Sequence, residues 1–240
     1  MDIRLVHGDC LEVMRKLADG SVVTIADPPY GIGRDWAKRS GTLRMRYRDC
    51  RYMNVRPPPE YFAEMLRVSS DWLVWGWNYF TDILPPTNYL LVWDKMSNNN
   101  PVFKYSKCEI AGTSWKVPCN IVAIGWDGYR MGEETGTTKI HPHQKPVALY
   151  RWVLETYLPD RANVTVLDPF MGSASLAIAC LDKGVGTYIG CEVEDMFFDA
   201  AEARVRTACG PNDTITVERQ GGQDAEGKDG EAEGGEPLQG

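Results

Sequence analysis

Histidine is scarce in this chain of 240 residues, which has His7, His141 and His143 and no others. With no Cys-x-x-Cys pair beside them, these residues form a poor ligand set for a metal ion. The seven cysteines (Cys10, Cys50, Cys108, Cys119, Cys180, Cys191 and Cys209) are scattered and odd in number, which predicts reduced thiols rather than a disulfide framework. No run approaches the roughly 18 apolar residues that cross a bilayer. The opening Met-Asp-Ile-Arg also lacks the charged head and apolar core of a secretory signal. The expectation is a cytoplasmic protein with no membrane partner. Gly-x-Gly-x-x-Gly is absent too, which favours a single nucleoside-like cofactor over a dinucleotide. No internal repeat is present.

Excess positive charge is also missing, since the formal net charge is −7. The total alone argues against a nucleic-acid partner, because Lys and Arg supply most non-specific affinity for phosphate. The distribution reverses this reading. Residues 221–240 hold six acids and one base, whereas Arg34–Arg56 holds eight bases (Arg34, Lys38, Arg39, Arg44, Arg46, Arg48, Arg51, Arg56) and two acids. A nearly neutral body therefore carries one strongly basic segment. From Gln220 onward the chain is Gly- and Glu-rich with almost no bulky apolar residue, and it is expected to be a disordered acidic tail.

Ahead of that tail, short apolar runs alternate with helical patterns, which predicts βα units on a mostly parallel, doubly wound sheet within a single domain over 1–219. Val22–Ala26, Trp72–Trp77, Tyr89–Trp93, Ile121–Trp126, Val164–Leu167 and Thr187–Glu192 read as strands. Cys10–Leu17, Pro58–Val68, Val147–Tyr157, Ser173–Lys183 and Asp195–Thr207 read as helices. Residues 31–56 form a candidate basic loop, and 94–140 a small inserted region with weak periodicity.

Two strand ends carry chemistry. Val164–Asp168 runs into Pro169-Phe170-Met171-Gly172-Ser173 and an Ala-rich helix. In a doubly wound sheet such a turn lies at the carboxyl edge, where ligands bind, and the helix N-terminus offers free N–H groups. Glu192 closes the next strand, at the distance where an acid meets ribose hydroxyls. An ordinary βαβ turn would look much the same, so this motif alone decides little. The second end is Ser21–Ala26 running into Asp27-Pro28-Pro29-Tyr30. Two prolines strip the backbone of donors and leave carbonyls beside a carboxylate, a setting that accepts hydrogen bonds from an NH2 group. Tyr30 adds a face for a flat base. By itself this tetrapeptide would more simply be a Pro-Pro turn.

Taken together, these residues resemble the β-class amino-group DNA methyltransferases over about residues 3–207. Asp27-Pro-Pro-Tyr30 is similar to the family's catalytic tetrapeptide, and Asp168-Pro169-Phe170-Met-Gly172-Ser173 to its methionine-binding loop. His141-Pro-His-Gln-Lys145-Pro146 is similar to the segment that helps enclose methionine, and His7-Gly-Asp9-Cys10 to the loop at the cofactor's adenine. The resemblance implies a seven-stranded methyltransferase sheet, S-adenosylmethionine as cofactor, double-stranded DNA as partner, and a homodimer as in many relatives of this motif order. It implies catalytic roles for Asp27, Pro28, Pro29 and Tyr30. It places Asp9, Cys10, Asp27, Lys145, Asp168, Pro169, Phe170, Gly172, Ser173 and Glu192 at the cofactor. An initial Asp in the tetrapeptide goes with adenine N6, with cytosine N4 the nearest rival. An RNA or protein amino group, or a DNA-binding protein without catalysis, stands further off. Ala174 departs from the second Gly common in the loop, a change expected to be tolerated.

Arg34, Lys38, Arg39, Arg44, Arg46 and Arg48 directly follow the tetrapeptide and are candidate phosphate contacts beside an extruded base. Within 94–140, the candidate target-recognition region, Lys95, Asn98, Asn99, Asn100, Lys104 and Lys107 could reach base edges or phosphates.

Overall fold

The computed structural model describes residues 1–32, 54–96, 106–126 and 131–220. The proposed phosphate contacts Arg34 to Arg48, the residues Asn98 to Asn100 and Lys104, and the acidic tail from 221 lie outside them.

Among the described residues nine strands form one sheet: β1 (Asp2–His7), β2 (Val22–Ala26), β3 (Ser69–Trp75), β4 (Leu90–Asp94), β5 (Cys108–Thr113), β6 (Asn120–Ala123), β7 (Thr165–Asp168), β8 (Thr187–Glu192) and β9 (Thr214–Arg219). Their spatial order is β6-β4-β5-β3-β2-β7-β8-β1-β9. Only β5 runs antiparallel to its neighbours β3 and β4. The sheet is thus mostly parallel, as expected, but has two strands more than the resemblance implies. The outermost strands, β6 and β9, cover the hydrogen-bonding sides of β4 and β1 that would otherwise be open edges. Residues 108–123, inside the region read as an insertion, contribute β5 and β6 to this sheet.

Among the described residues five α-helices accompany it: α1 (Cys10–Met14), α2 (Pro59–Val68), α3 (Val147–Tyr157), α4 (Ser175–Lys183) and α5 (Asp195–Ala208). Gly184 caps α4 at φ 67°, a left-handed conformation that glycine adopts freely. Because successive strand residues point to opposite faces, β3 sends Trp72 and Val74 toward α1 and α2, and Leu73 and Trp75 toward α3, α4 and α5. Both faces are buried, which is why β2 and β7 read as continuous apolar runs. On the second face the buried rings of Trp75 and Trp93 meet edge to face at 6.4 Å, worth about 1 kcal/mol beyond area burial. Among the described residues no helix is long and apolar enough to cross a membrane. With eight strands parallel, their carboxyl ends share one edge of the sheet, the edge where ligands of doubly wound folds bind.

Candidate active site

The turns after β1, β2, β7 and β8 open onto a single cleft of about 1160 Å³. Asp9, Cys10, Asp27 to Tyr30, Lys145, Pro169, Phe170, Gly172, Ser173 and Glu192 all line it. The structure thus brings together both motif sets from opposite ends of the chain. Asp168 is the exception. It is buried beneath the wall, where its carboxylate accepts the Tyr188 hydroxyl at 2.9 Å.

The acids that follow β1 and end β8 are already engaged with the protein. Asp9 caps α1, accepting from the Leu11 N–H at 2.9 Å, and its other oxygen accepts the Tyr61 hydroxyl at 2.8 Å. Glu192 accepts from the backbone N–H groups of Gly172, Val193 and Glu194, each at 2.9 Å. Burial nevertheless pushes its carboxyl up to about 7, against those hydrogen bonds. Glu192 thereby holds the Gly172 turn in place while facing the cleft.

The segment 141–146 is fixed from behind. Arg204 of α5 donates to the Ser173 carbonyl at 2.8 Å and to Glu134 at 2.7 Å. Glu134 in turn accepts from the Val147 N–H and the Gln144 amide. His141 packs edge-on against Phe197 and accepts from the His143 N–H. Burial first, then His143 and Lys145, pulls it down to about 3, so its ring is neutral.

On the Asp27 side lies a buried cluster of charges. Lys145, which the resemblance places at the methionine, sits 2.5 Å from Asp27 Oδ1 and 3.0 Å from Glu109 Oε2. Lys95 holds the other Glu109 oxygen at 2.5 Å; it was read as a base-edge or phosphate contact, and it lies inside the cleft. The Tyr30 hydroxyl is 2.9 Å from Asp27 and 3.2 Å from Glu109. Two cations thus face two anions. Burial raises the Asp27 carboxyl and Lys145 opposes the rise. Burial also works against ionisation of Glu109, but Lys145 and Lys95 outweigh it and hold Glu109 low. The Tyr30 ring stacks on Tyr79 with centroids 4.9 Å apart, and it packs against Gly76, where a Cβ would run into it.

Sequence reading missed Glu109, Tyr61, Tyr79, Glu134, Tyr188 and Arg204. None belongs to a recognisable motif; each arrives through the fold.

Residues 87–203 match the family model described as DNA methylase, for N6 and N4 amino groups. Over this stretch the chain is similar to the amino-group DNA methylases. The matched region contains Lys145, the Asp168–Ser173 turn and Glu192, while Asp27–Tyr30 precedes it. The chain is 26% identical to the YubD protein of Escherichia coli (strain K12) over 223 residues, covering 84% of this chain and 89% of that protein. In fold it is similar to M1.HpyAVI solved in complex with SAM, with a TM-score of 0.55, 20% identity, and 85% and 98% of the two chains covered. It is also similar to the cytosine-N4-specific PvuII DNA methyltransferase, with a TM-score of 0.56, 14% identity, and 88% of each chain covered.

Proposed function

We propose that this chain transfers the methyl group of S-adenosylmethionine to the exocyclic N6 of an adenine extruded from double-stranded DNA. The observation that carries the proposal is the shared cleft. The Asp27 carboxylate and the Phe170–Ser173 turn with Glu192 face one cavity from adjacent strand ends.

The lining suits such a cofactor. Carboxylates of Asp9 and Glu192 match amino and hydroxyl donors, Phe170 matches a flat ring, and the N-terminus of α4 matches a carboxylate. When bound, the cofactor supplies an electrophilic methyl on a sulfonium. Asp27 and the Pro28 carbonyl accept the two amino hydrogens of the base. This favours a tetrahedral nitrogen whose lone pair is no longer delocalised into the ring. Holding the partners in line at roughly 3 to 3.5 Å supplies most of the rate. The proton released on methylation passes to Asp27, the nearest carboxylate. Arg34, Lys38, Arg39, Arg44, Arg46 and Arg48 clamp phosphates beside the extruded base. The initial Asp of the tetrapeptide supports adenine over cytosine.

Unmethylated genomic DNA is incubated with the purified protein and methyl-labelled S-adenosylmethionine, and the nucleosides are then separated. Label in N6-methyladenine that vanishes with Asp27→Ala is the expected result. Label in N4-methylcytosine would change the base assigned, and cofactor binding with no label in DNA would point to RNA or protein.

A further inference from the structure

The Tyr30 hydroxyl has one proton to donate and two carboxylates within reach, Asp27 at 2.9 Å and Glu109 at 3.2 Å. Lys145 shows the same duality, 2.5 Å from Asp27 and 3.0 Å from Glu109. Its Nζ also lies 3.3 Å from the Tyr30 oxygen. Both donors contact the same Asp27 atom, Oδ1. Asp27 Oδ1 is thus doubly engaged, and an amino group that binds through this atom must compete with the groups already there.

We infer that Glu109 is a positioning residue, the reserve acceptor that takes over the Tyr30 hydroxyl and the Lys145 ammonium when a substrate amino group engages Asp27. The inference rests on the function proposed above. Turning the phenolic O–H toward Glu109 frees a lone pair on Asp27 while Tyr30 keeps a charged acceptor, so no buried donor is stranded. Lys145, already 3.0 Å from Glu109, shifts its hydrogen bond there while its charge still faces Asp27. Lys95 grips Glu109 through Oε1, which leaves Oε2 for Tyr30 and Lys145.

The topology explains why a residue so distant in sequence does this. The strands parallel to β2 bring their last residues to the carboxyl edge, whereas antiparallel β5 brings its first ones there. Glu109, second residue of β5 and paired with Trp93 of β4, is thus placed beside the end of β2.

The test is single-turnover methyl transfer to duplex DNA by the full chain, with cofactor affinity measured in parallel by calorimetry. Glu109→Ala should slow transfer on the order of 10- to 100-fold, the effect of one mispaired charge-assisted hydrogen bond, and leave cofactor affinity within about twofold. Glu109→Asp should recover part of the rate. The decisive variant is Tyr30→Phe in the Glu109→Ala background, which keeps the ring and removes the competing proton; it should be faster than Glu109→Ala alone. Glu109→Met, close in length and without an acceptor oxygen, should repeat the loss and its suppression if the alanine variant fails to fold. Wild-type rates in Glu109→Ala, or no recovery with Tyr30→Phe in either background, would overturn the assignment of Glu109 alone. Absence of transfer to DNA by the unsubstituted chain would overturn the proposed function, and this inference with it.

Discussion

Tyr188 on β8 donates its hydroxyl to Asp168 Oδ2 on the neighbouring strand β7, beneath the loop that carries Phe170 and Gly172. The acid is buried, and that burial lifts its carboxyl from 3.8 to about 7 against the Tyr188 hydrogen bond. Between those values the folded chain holds a proton that the unfolded chain has released, so the Asp168 contribution to stability falls as pH rises from about 4 to 7. Asp168→Asn keeps an oxygen for Tyr188 and cannot ionise. Its melting temperature relative to wild type should therefore rise across this window, and calorimetric melts at pH 5 and pH 8 measure the difference. An unchanged difference would mean that Asp168 is ionised in the fold without cost.

Gly76, just beyond β3, adopts φ 67°, and a Cβ there would enter the Tyr30 ring. Gly76→Ala must move either its own turn or the ring, and displacement of the ring loosens the hydroxyl from Asp27. Misplacement by about 1 Å costs roughly 100-fold in rate. The expected outcome is a loss of that order in methyl transfer with cofactor affinity retained, because Phe170 and Glu192 lie on other strands. An equal loss of cofactor binding would show general unfolding instead.

How much could be read in advance depended on where the signal lay. Strands β2 and β7 stand out through branched apolar residues and β8 through its place after the Ala-rich helix, and each ends in a motif whose position at the sheet edge follows from parallel topology alone. By contrast β1 and β9, Asp-Ile-Arg-Leu-Val-His and Thr-Ile-Thr-Val-Glu-Arg, intersperse charge, because they lie at and near the sheet's edge. The sequence of β5, Cys-Glu-Ile-Ala-Gly-Thr, carries a glycine and no branched run. Glu109 was invisible for the same reason: it lies 79 positions from Tyr30, and only an antiparallel return brings it to the cleft. Lys145 stands out in the sequence as a candidate site residue, yet its place on Asp27 follows only from the fold.

Arg204 joins three pieces of chain, donating to the Ser173 carbonyl, the Ser175 hydroxyl and Glu134. Glu134 anchors Gln144 and Val147, on either side of Lys145. Because both side chains are partly solvated, at 22% and 15% exposure, the loss from Arg204→Gln should be nearer about 2 kcal/mol than the larger penalty of a fully buried pair. Titration should show several-fold weaker cofactor binding, with the transfer rate at saturating cofactor almost unchanged. A fall in that saturated rate alone would locate the effect of Arg204 on the Asp27 side.

Ala174, where the resemblance implies a second glycine, adopts φ 56° and is fully buried at the start of α4. A side chain in this left-handed conformation costs about 1 to 2 kcal/mol, and the buried methyl returns about 0.8 kcal/mol. Glycine would shed the strain but lose the methyl and gain freedom in the unfolded chain, worth roughly another 0.4 to 1 kcal/mol. Ala174→Gly should therefore shift stability by less than about 1 kcal/mol, which explains why alanine is acceptable here. Ala174→Val has no such compensation. A β-branched residue at positive φ, overpacked into a closed site, should cost about 3 kcal/mol, or roughly 10 °C for a domain of this size. Denaturation of the two variants side by side decides the point: equal destabilisation would mean that volume, not backbone conformation, governs this position.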